Sequence, residues 1–280
     1  MLFGSFVAGS TPTGGAAVAF PVFTKLFQIS SYEAKVFGLM IQSVGMSMAS
    51  AYIFIYKVRV LPKVIVFVSL GGLIGILSGT LFISVSGSVP KIIFSYSATS
   101  LGAVLIVQFW YFKRPVFFNV NVWDMKISSL FFIIGIFGGV FSGVTGSGID
   151  MITFIVLALA FGIHEKVAIP TSIVIMAINS LFGFFLHGVI KQDVGVVWNY
   201  WIVCIPVVIL GAPLGMFVIA KLKRSFILFF LLTLIAFELI TTLIFLPFDS
   251  TFIRVSIWTV VILVLSYSGL IFLYHKRVGH

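Results

Sequence analysis

Two glycine-rich segments contain most of the residues that could bind a substrate. They read Gly9-Ser-Thr-Pro-Thr-Gly-Gly15, which we call the first break, and Gly143-Val-Thr-Gly-Ser-Gly148, the second break. A helix N-terminus has unpaired N–H groups and about half a positive charge, and glycines let an oxyanion approach those groups closely. We therefore predict an oxyanion site where the breaks meet near the bilayer midplane, formed by Gly9, Thr11, Thr13, Gly14, Gly15, Gly143, Thr145, Gly146, Ser147 and Gly148. The alternative is that these glycines only allow close helix packing.

Two acidic residues within apolar sequence, Asp150 and Glu238, are candidates for ion or proton coupling. An ionised acid at the centre of a bilayer costs about 2.5–3.5 kcal/mol on insertion scales, so such residues are rare outside functional sites. Asp150 has an alternative role, because Ser147-Gly-Ile-Asp150 has the pattern of a capping box at a helix start. Glu238 has one too, as it could pair with a buried polar group or stay protonated.

Polar residues in the second helix after each break could line the path of a substrate. They are Gln42, Ser43, Thr171, Ser172 and Asn179. They could equally form hydrogen bonds between helices, each contributing about 0.6 kcal/mol. The pairs Gly75/Gly79 and Gly211/Gly215 lie inside regular apolar stretches, and their spacing predicts helix packing.

The composition indicates an integral membrane protein. Hydrophobic residues make up 61% of the 280 residues and charged residues only 9%, whereas about one quarter of a typical soluble domain is charged. The net charge of +10 does not indicate nucleic-acid binding, because the basic residues lie in short clusters between apolar runs. The four histidines fall at the ends of these runs or in the tail, without the spacing of metal ligands, so we predict no metal and no cofactor.

An intramembrane enzyme is the alternative from another class. Ser147 as a nucleophile would need a base within hydrogen-bond reach. Only His187, at a helix end, is available inside the apolar sequence. We therefore predict that the protein is not an enzyme.

Seven stretches are apolar and long enough to cross a hydrocarbon core of about 30 Å. They are Val36–Tyr56, Val64–Pro90, Ile92–Phe112, Val167–Ile190, Val194–Ala220, Ser225–Phe248 and Val255–Tyr274. The 37 residues between Lys126 and His164 are too many for one crossing, since a straight helix of that length measures about 55 Å. The break within this segment, and the first break, predict discontinuous helices that either cross with a kink or fold back as re-entrant hairpins.

The two breaks are related by an internal duplication. A shift of 134 residues superposes the pairs Gly9/Gly143, Thr11/Thr145, Gly14/Gly148, Phe20/Phe154 and Ala34/Ala168. We predict repeat 1 at residues 1–113, a connecting loop at 114–126, repeat 2 at 127–247, and an additional helix with a short basic tail at 252–280. Weak repeats with paired broken helices are typical of secondary transporters.

The distribution of basic residues favours hairpins over kinked crossings. With kinked crossings the 17 basic residues divide 8 to 9 between the two sides, and with hairpins they divide 12 to 5. The positive-inside rule expects such an asymmetry. We therefore predict an all-α polytopic membrane protein with two inverted repeats, the N-terminus outside and the C-terminus cytoplasmic. The side predicted to be outside holds Lys25, Lys35, Lys91, Lys191 and Arg254.

Several motifs resemble the sulfite exporter TauE/SafE family. The stretch from Gly4 to Pro21 and Gly38-Leu-Met-Ile-Gln-Ser-Val-Gly-Met46 are similar to its first repeat. Gly143–Ile149, Ala168-Ile-Pro-Thr-Ser172 and His187-Gly-Val-Ile-Lys-Gln-Asp-Val-Gly-Val-Val-Trp198 are similar to its second repeat and the loop that follows. The resemblance extends to about residue 247. Members usually look eight-spanning, so the additional C-terminal helix departs from the family pattern.

The resemblance implies a permease for sulfur-containing inorganic or organic anions, such as sulfite or sulfonates. Together with the breaks, it predicts a secondary transporter of small anions in the cell membrane. Its expected partners are a small anionic substrate and the lipid bilayer. The alternative is an anion channel, which would pass current without a coupled ion.

Overall fold

The computed structural model describes residues 1–15, 22–83, 85, 88–106, 116–120, 123–246 and 248–278. Over these residues the protein is all-helical, without a β-strand. The helices are α1 (Leu2–Ser10), α2 (Ser31–Ile55), α3 (Pro62–Phe82), α4 (Val89–Ile106), α5 (Met125–Thr145), α6 (Ile149–Phe161), α7 (Glu165–Phe185), α8 (Val197–Lys221), α9 (Arg224–Phe245) and α10 (Ser250–Val278). Short π-helical turns lie at Val22–Leu26 and, directly after α7, at Leu186–Ile190. Part of the predicted connecting loop and the six residues after the first break lie outside the described residues.

Local sequence signals set several of the helix boundaries. Ser30 and Glu33 form a reciprocal capping box at the start of α2. Pro62 occupies the first turn of α3, where its missing N–H costs nothing. The Asp124 carboxylate accepts a hydrogen bond of 2.8 Å from the Ile127 N–H at the start of α5. Gly162 ends α6 in the left-handed conformation that glycine adopts without strain.

Seven helices of the described part are long and apolar enough to cross a membrane. They are α2, α3, α5, α7 with its π-helical turn, α8, α9 and α10 as far as Gly269. Six of them coincide with predicted spans, whereas the predicted span Ile92–Phe112 falls on α4 and extends beyond the described residues. The seventh helix that could cross a membrane is α5, which was predicted as an arm of a broken helix and not as a span. Its 21 residues measure about 31 Å. The first arm of the predicted hairpin is therefore as long as a full crossing.

The packing around α5 and α6 has the form expected of a hairpin. The chain passes Phe117 before α5 begins, and the Phe117 N–H donates to the Gly162 carbonyl at the end of α6 at 2.8 Å. Phe131 of α5 stacks on Phe161 of α6 with ring centroids 4.9 Å apart. The start of α5 and the end of α6 are thus brought to the same end of the molecule. This supports the re-entrant hairpin, which stays a prediction because the membrane boundaries are not part of the structure.

Glycine contacts in the two halves are equivalent. A Cβ added to Gly9 of α1 would overlap the carbonyl of Ala212 in α8. A Cβ added to Gly143 of α5 would lie 2.9 Å from the carbonyl oxygen of Ile76 in α3. In this part of the chain the two halves align with a shift of 136 residues, which places Ile76 of α3 on Ala212 of α8. Each contact therefore joins the helix before one break to α3 or α8, the corresponding helices of the opposite halves. The equivalence supports the predicted duplication.

Contacts of lysine and arginine side chains lie at two opposite ends of the helices. At one end, which we call the basic end, Arg224 forms a bidentate ion pair with the buried Glu165 at 2.7 and 2.8 Å. The Lys63 ammonium lies over the Trp123 ring at the same end, 5.5 Å from its centroid. At the other end, Lys191 Nζ donates to Tyr32 Oη at 2.9 Å. The hairpin topology likewise puts Lys63, Glu165 and Arg224 on one side of the membrane and Lys191 on the other. That the basic end faces the cytoplasm stays a prediction.

Candidate functional site

The second break is a tight turn between α5 and α6. Gly146 and Gly148 have φ angles of 87° and 127°, a backbone conformation that strains residues with a Cβ. The turn lets Ser142, in the last turn of α5, reach across so that its Oγ accepts a hydrogen bond of 3.0 Å from the Ile149 N–H. One of the free amides at the start of α6 is therefore satisfied by the preceding helix.

The capping box predicted at Ser147 and Asp150 is wrong. The N-cap residue of α6 is Gly148, which has no side chain with which to cap the helix. Ser147 lies one residue earlier, and its Oγ makes a long hydrogen bond of 3.5 Å to Gln42 Oε1 instead. The box does not form because the turn makes Gly148, and not Ser147, the N-cap residue of α6.

Asp150 lies in the first turn of α6 and is fully buried, with 0% of its surface exposed. Its Oδ1 accepts a hydrogen bond of 3.0 Å from the Met151 N–H, and the backbone groups of Asp150 and Gly148 also hydrogen-bond to the carboxylate. Its Oδ2 has no hydrogen-bond partner among the described residues. The start of α6 thus holds a buried carboxyl group with backbone N–H groups, without a lysine or arginine paired to it in the described part.

Gln42, in the middle of α2, joins the two breaks. Its Nε2 donates to the Gly146 carbonyl at 3.2 Å. A Cβ added to Gly14 would lie 2.7 Å from Gln42 Oε1, 3.0 Å from Met46 Cε and 3.1 Å from Asp150 Oδ2. The structure therefore brings together Gly14 of the first break, Gln42, the second break and Asp150. We call this group the break centre.

Within the break centre, the second break is the part farthest from the basic end. A Cβ added to Gly146 would lie 2.6 Å from the carbonyl oxygen of Lys35, and Lys35 is in the second turn of α2. The first break lies beside Gln42 and Met46, deeper along α2. The two breaks therefore lie beside different turns of α2.

The threonine hydroxyl groups of the breaks are bonded within or directly beside their own segments. Thr11 Oγ1 donates to the Val7 carbonyl at 3.0 Å and lies 3.0 Å from Thr13 Oγ1. Thr145 Oγ1 donates to the Ser147 carbonyl at 2.6 Å. These bonds hold the shape of the breaks, and a substrate would have to replace them to use the same donors.

Three glycines of the predicted site contact helix backbone or small side chains. They are Gly9, Gly143 and Gly15, and an added Cβ on Gly15 would lie 3.2 Å from the Gly4 carbonyl oxygen. Such contacts are typical of close helix packing. Helix packing was the alternative to an oxyanion site that the sequence left open for these glycines. Gly14, Gly146 and Gly148 differ from them, because their φ angles are positive.

The polar residues of α2 and α7 are distributed rather than gathered. Ser43 and Ser172 donate to the carbonyls of Met40 and Ile169 in their own helices, at 2.7 and 2.9 Å. Thr171 Oγ1 accepts from the Leu61 N–H at 3.1 Å, so it ties α7 to the start of α3 at the basic end. None of these described contacts reaches the break centre.

Asn179 lies closer to the break centre. A Cβ added to Gly72 would lie 2.6 Å from Ile149 Cδ1 and would also overlap Asn179 Oδ1. Asn179 Nδ2 donates to the Ile175 carbonyl of its own helix at 2.9 Å. Asn179 therefore neighbours the residue before Asp150 without bonding to the breaks.

Glu238 is buried at a separate place, between α9 and α4. Thr242 Oγ1 lies 3.4 Å from Glu238 Oε1 and 2.6 Å from Ser95 Oγ. The two predicted coupling candidates thus have different surroundings. Asp150 belongs to the break centre, and Glu238 belongs to a hydroxyl cluster.

Two residues near the breaks were not among the predicted site residues. Ser142 bonds to the start of α6, and its signal in the sequence is only a serine among glycines. Lys35 is a basic residue within Ala34-Lys-Val-Phe37, and its apolar neighbours are the signal that it could be buried. No group of three metal-binding side chains occurs among the residues that the structure describes.

Comparison with known proteins identifies one family. The model of the family described as "Sulfite exporter TauE/SafE" matches residues 1–242, which is most of the chain and includes both breaks. No curated protein and no solved structure matches the chain.

Proposed function

The chain belongs to the sulfite exporter TauE/SafE family, and we propose that it is a secondary transporter that binds sulfur oxyanions or organosulfonates at the break centre. Family membership and seven helices able to cross a membrane make it a multi-pass membrane transporter. The choice of substrate within the sulfur anions and the position of its site are the proposal. It takes no cofactor and performs no covalent chemistry.

The buried carboxylate of Asp150 carries the proposal. The start of α6 already stabilises the Asp150 carboxylate with backbone N–H groups, although its Oδ2 has no hydrogen-bond partner and no cation is paired with it in the described residues. A sulfite or sulfonate group presents oxygens of the same charge and a similar spacing. The positive end of a helix favours either anion, because its unpaired N–H groups point at the ligand. Asp150 thus occupies the place that a bound oxyanion would take.

The substrate and the Asp150 carboxylate compete for the same amides. Two negative groups so close together in a medium of low dielectric repel each other, and protonation of the carboxylate relieves the repulsion. We expect the anion to displace a protonated Asp150, so that one proton accompanies each anion. Gln42 and Gly14 close the centre on the other side, where a Cβ on Gly14 would already lie 2.7 Å from Gln42 Oε1 and 3.1 Å from Asp150 Oδ2, so an anion enters only when the Asp150 side chain moves aside.

Substitutions at the glycines with positive φ test the site. Leucine at Gly14 would collide with Gln42 and Asp150, and leucine at Gly148 would collide with the Phe141 ring. Both variants should lose binding of sulfite in calorimetry with purified protein. Gly269→Leu is the matched control, since nothing lies within 4 Å of a Cβ at that position.

A milder substitution separates loss of the site from loss of the fold. Gln42→Met keeps the length of the side chain and removes the hydrogen bond to Gly146. It should weaken sulfite binding about tenfold, the equivalent of about 1.4 kcal/mol, with little change in melting temperature. Wild-type affinity in the two leucine variants and in Gln42→Met would place the site elsewhere. Current that does not saturate, without exchange of internal for external anion, would indicate a channel.

A further inference from the structure

A cavity of about 120 Å³ lies at the end of the helices opposite the basic end. Its lining includes Ser31, Tyr32, Lys35, Thr80, Val144 and Lys191. A water molecule occupies about 30 Å³ in the liquid, so the cavity has room for a small oxyanion. We call it the lysine cavity.

Lys35 is the unusual residue of this cavity. Its side chain is only 6% exposed, and no carboxylate pairs with it among the described residues. Its described interaction is with the Tyr32 ring, whose centroid lies 4.6 Å from Lys35 Nζ. A buried charge without an ionic partner is costly. The lysine cavity therefore contains a cation that an anion would stabilise.

The second lysine of the cavity is already compensated. Lys191 Nζ lies 3.0 Å from Asp193 Oδ2 and also donates to Tyr32 Oη. Burial alone would raise the pKa of Asp193, but hydrogen bonds from Tyr32, His187 and Lys191 hold it below the usual value for aspartate. Asp193 thus stays ionised at neutral pH and neutralises Lys191.

The remaining acid near the start of α2 is engaged elsewhere. Glu33 is partly exposed and accepts a hydrogen bond of 2.7 Å from Ser30 Oγ within the capping box. Lys35 is therefore the lysine of the cavity that has no ion pair among the described residues. Lys191 repels it and Asp193 attracts it, both from beyond ion-pair distance, and Asp193 is already paired with Lys191.

The lysine cavity adjoins the second break. Val144, which lines it, precedes Thr145 at the end of α5. The carbonyl of Lys35 contacts Gly146, as the 2.6 Å to an added Cβ shows. An anion held beside Lys35 would therefore lie next to the second break and about two helical turns of α2 from Gln42, on the side predicted to face outside.

We propose that the lysine cavity is a second anion site, which binds an oxyanion such as sulfate or sulfite through Lys35 before it reaches the break centre. The role in the transport path rests on the proposed function, whereas binding to the cavity does not. The alternative for Lys35 is that its ammonium only extends to the membrane surface, as lysines near the ends of spanning helices do.

Thiol labelling tests the charge and occupancy of the lysine cavity without any transport. The chain has one cysteine, so a Cys204→Ala background with Thr80→Cys places a single thiol in the cavity wall. Its reaction rates are measured with an anionic sulfonatoethyl and a cationic trimethylammonioethyl methanethiosulfonate, with and without sulfate. The ratio of anionic to cationic rate reports the potential in the cavity.

Three substitutions in this background distinguish the alternatives. Lys35→Gln should lower the rate ratio about tenfold, because clefts of one charge raise the local concentration of the opposite ion by at least that factor, and sulfate should no longer protect the thiol. Lys35→Arg keeps the charge and should keep both properties. Lys223→Gln removes a charge from an exposed lysine at the basic end and is the matched control.

An unchanged ratio and unchanged sulfate protection in Lys35→Gln would overturn the proposal. So would an equal fall in Lys223→Gln, because it would reflect the net charge of the protein. Melting temperatures of the variants show whether each is folded. A wild-type protein that transports no sulfur anion would refute the proposed function but would leave the labelling result unaffected.

Discussion

Asp150→Asn should uncouple transport from a pH gradient while leaving the protein folded. Asn is nearly isosteric with Asp and can still accept the hydrogen bond from the Met151 N–H through its Oδ1, but it cannot take up a proton. If a protonated Asp150 moves aside for the anion, the variant retains the anion site and loses the proton.

The expected change in stability is small. A hydrogen bond to a charged group contributes about 1.5–3 kcal/mol and a neutral one about 0.5–1.5 kcal/mol, so the substitution weakens the Met151 bond by about 1 kcal/mol. Removal of a fully buried charge acts in the opposite direction. We therefore expect the melting temperature to change by less than about 4 °C.

The expected change in coupling is large. A gradient of one pH unit corresponds to 1.36 kcal/mol per proton, which supports about tenfold accumulation of an anion that moves with one proton. Without that proton the ratio of internal to external anion should fall to about one, and uptake should no longer strengthen as the external pH falls.

Proteoliposomes with the membrane potential set to zero provide the assay. Methanesulfonate is a suitable substrate, because a sulfonate keeps its single negative charge over the pH range used. Wild-type protein should accumulate it when the outside is acidic, and Asp150→Asn should not. Exchange of internal for external anion needs no net proton movement and should survive in the variant. Glu238→Gln, at the separate hydroxyl cluster, is the matched control.

Equal accumulation by wild type and Asp150→Asn, with the same dependence on pH, would refute this reasoning. Asp150 would then serve only to hold the start of α6. If Glu238→Gln lost the gradient response instead, the coupling group would lie between α4 and α9.

Three further predictions follow from other parts of the structure. A cysteine at Ser31 should be labelled by an impermeant reagent from outside the cell and cysteines at Pro62 and Glu165 only from inside; labelling of Ser31 and Pro62 from one side would exclude the hairpin topology. Arg224→Ala should destabilise the protein by about 3–5 kcal/mol in a thermal unfolding assay, because it leaves the carboxylate of Glu165, 1% exposed, without its ion pair; a melting temperature equal to wild type would contradict this. The pKa of Asp193 is lower in the folded protein than the usual value for aspartate, 3.8, so its ionised form stabilises the fold above pH 3.8 and this stabilisation is lost as the pH falls through the lower pKa. The melting temperature of Asp193→Asn should therefore fall less than that of wild type when the pH is lowered below 4.

The membrane-spanning helices could be predicted from the sequence because hydropathy alone determines them. Six predicted spans coincide with helices able to cross a membrane. The 37 residues before His164 were harder, since their hydropathy is uniform and does not show where one helix ends. The positive φ angles of Gly146 and Gly148 divide them into a long arm and a short arm.

The break centre could be predicted only in part. The glycines and Asp150 stand out in the sequence, but their hydrogen-bond partners are set by how distant helices pack. Gln42 bonds to Gly146 across 104 residues, and Thr171 bonds to Leu61 across 110. No local sequence pattern indicates either of these two hydrogen bonds. The capping box failed because the turn places Gly148, and not Ser147, at the N-cap of α6.

The burial of Lys35 is a further property that the sequence does not show. Its position in the second turn of α2 would suit a lysine extended to the membrane surface. It is instead enclosed between α2, the end of α3 and the end of α5. A cation in such a place is a tertiary feature, and so is the cavity it lines.

Anomalous diffraction from crystals soaked in selenite would locate the anion site. Selenite has the shape and charge of sulfite, and selenium gives a signal that distinguishes it from every atom of the native protein. We expect an anomalous peak between Gly14 and Gly148, within about 3 Å of backbone N–H groups at the start of α6, with the Asp150 carboxylate displaced. A peak confined to the lysine cavity, or no peak at the break centre under conditions in which the protein binds selenite in solution, would contradict it.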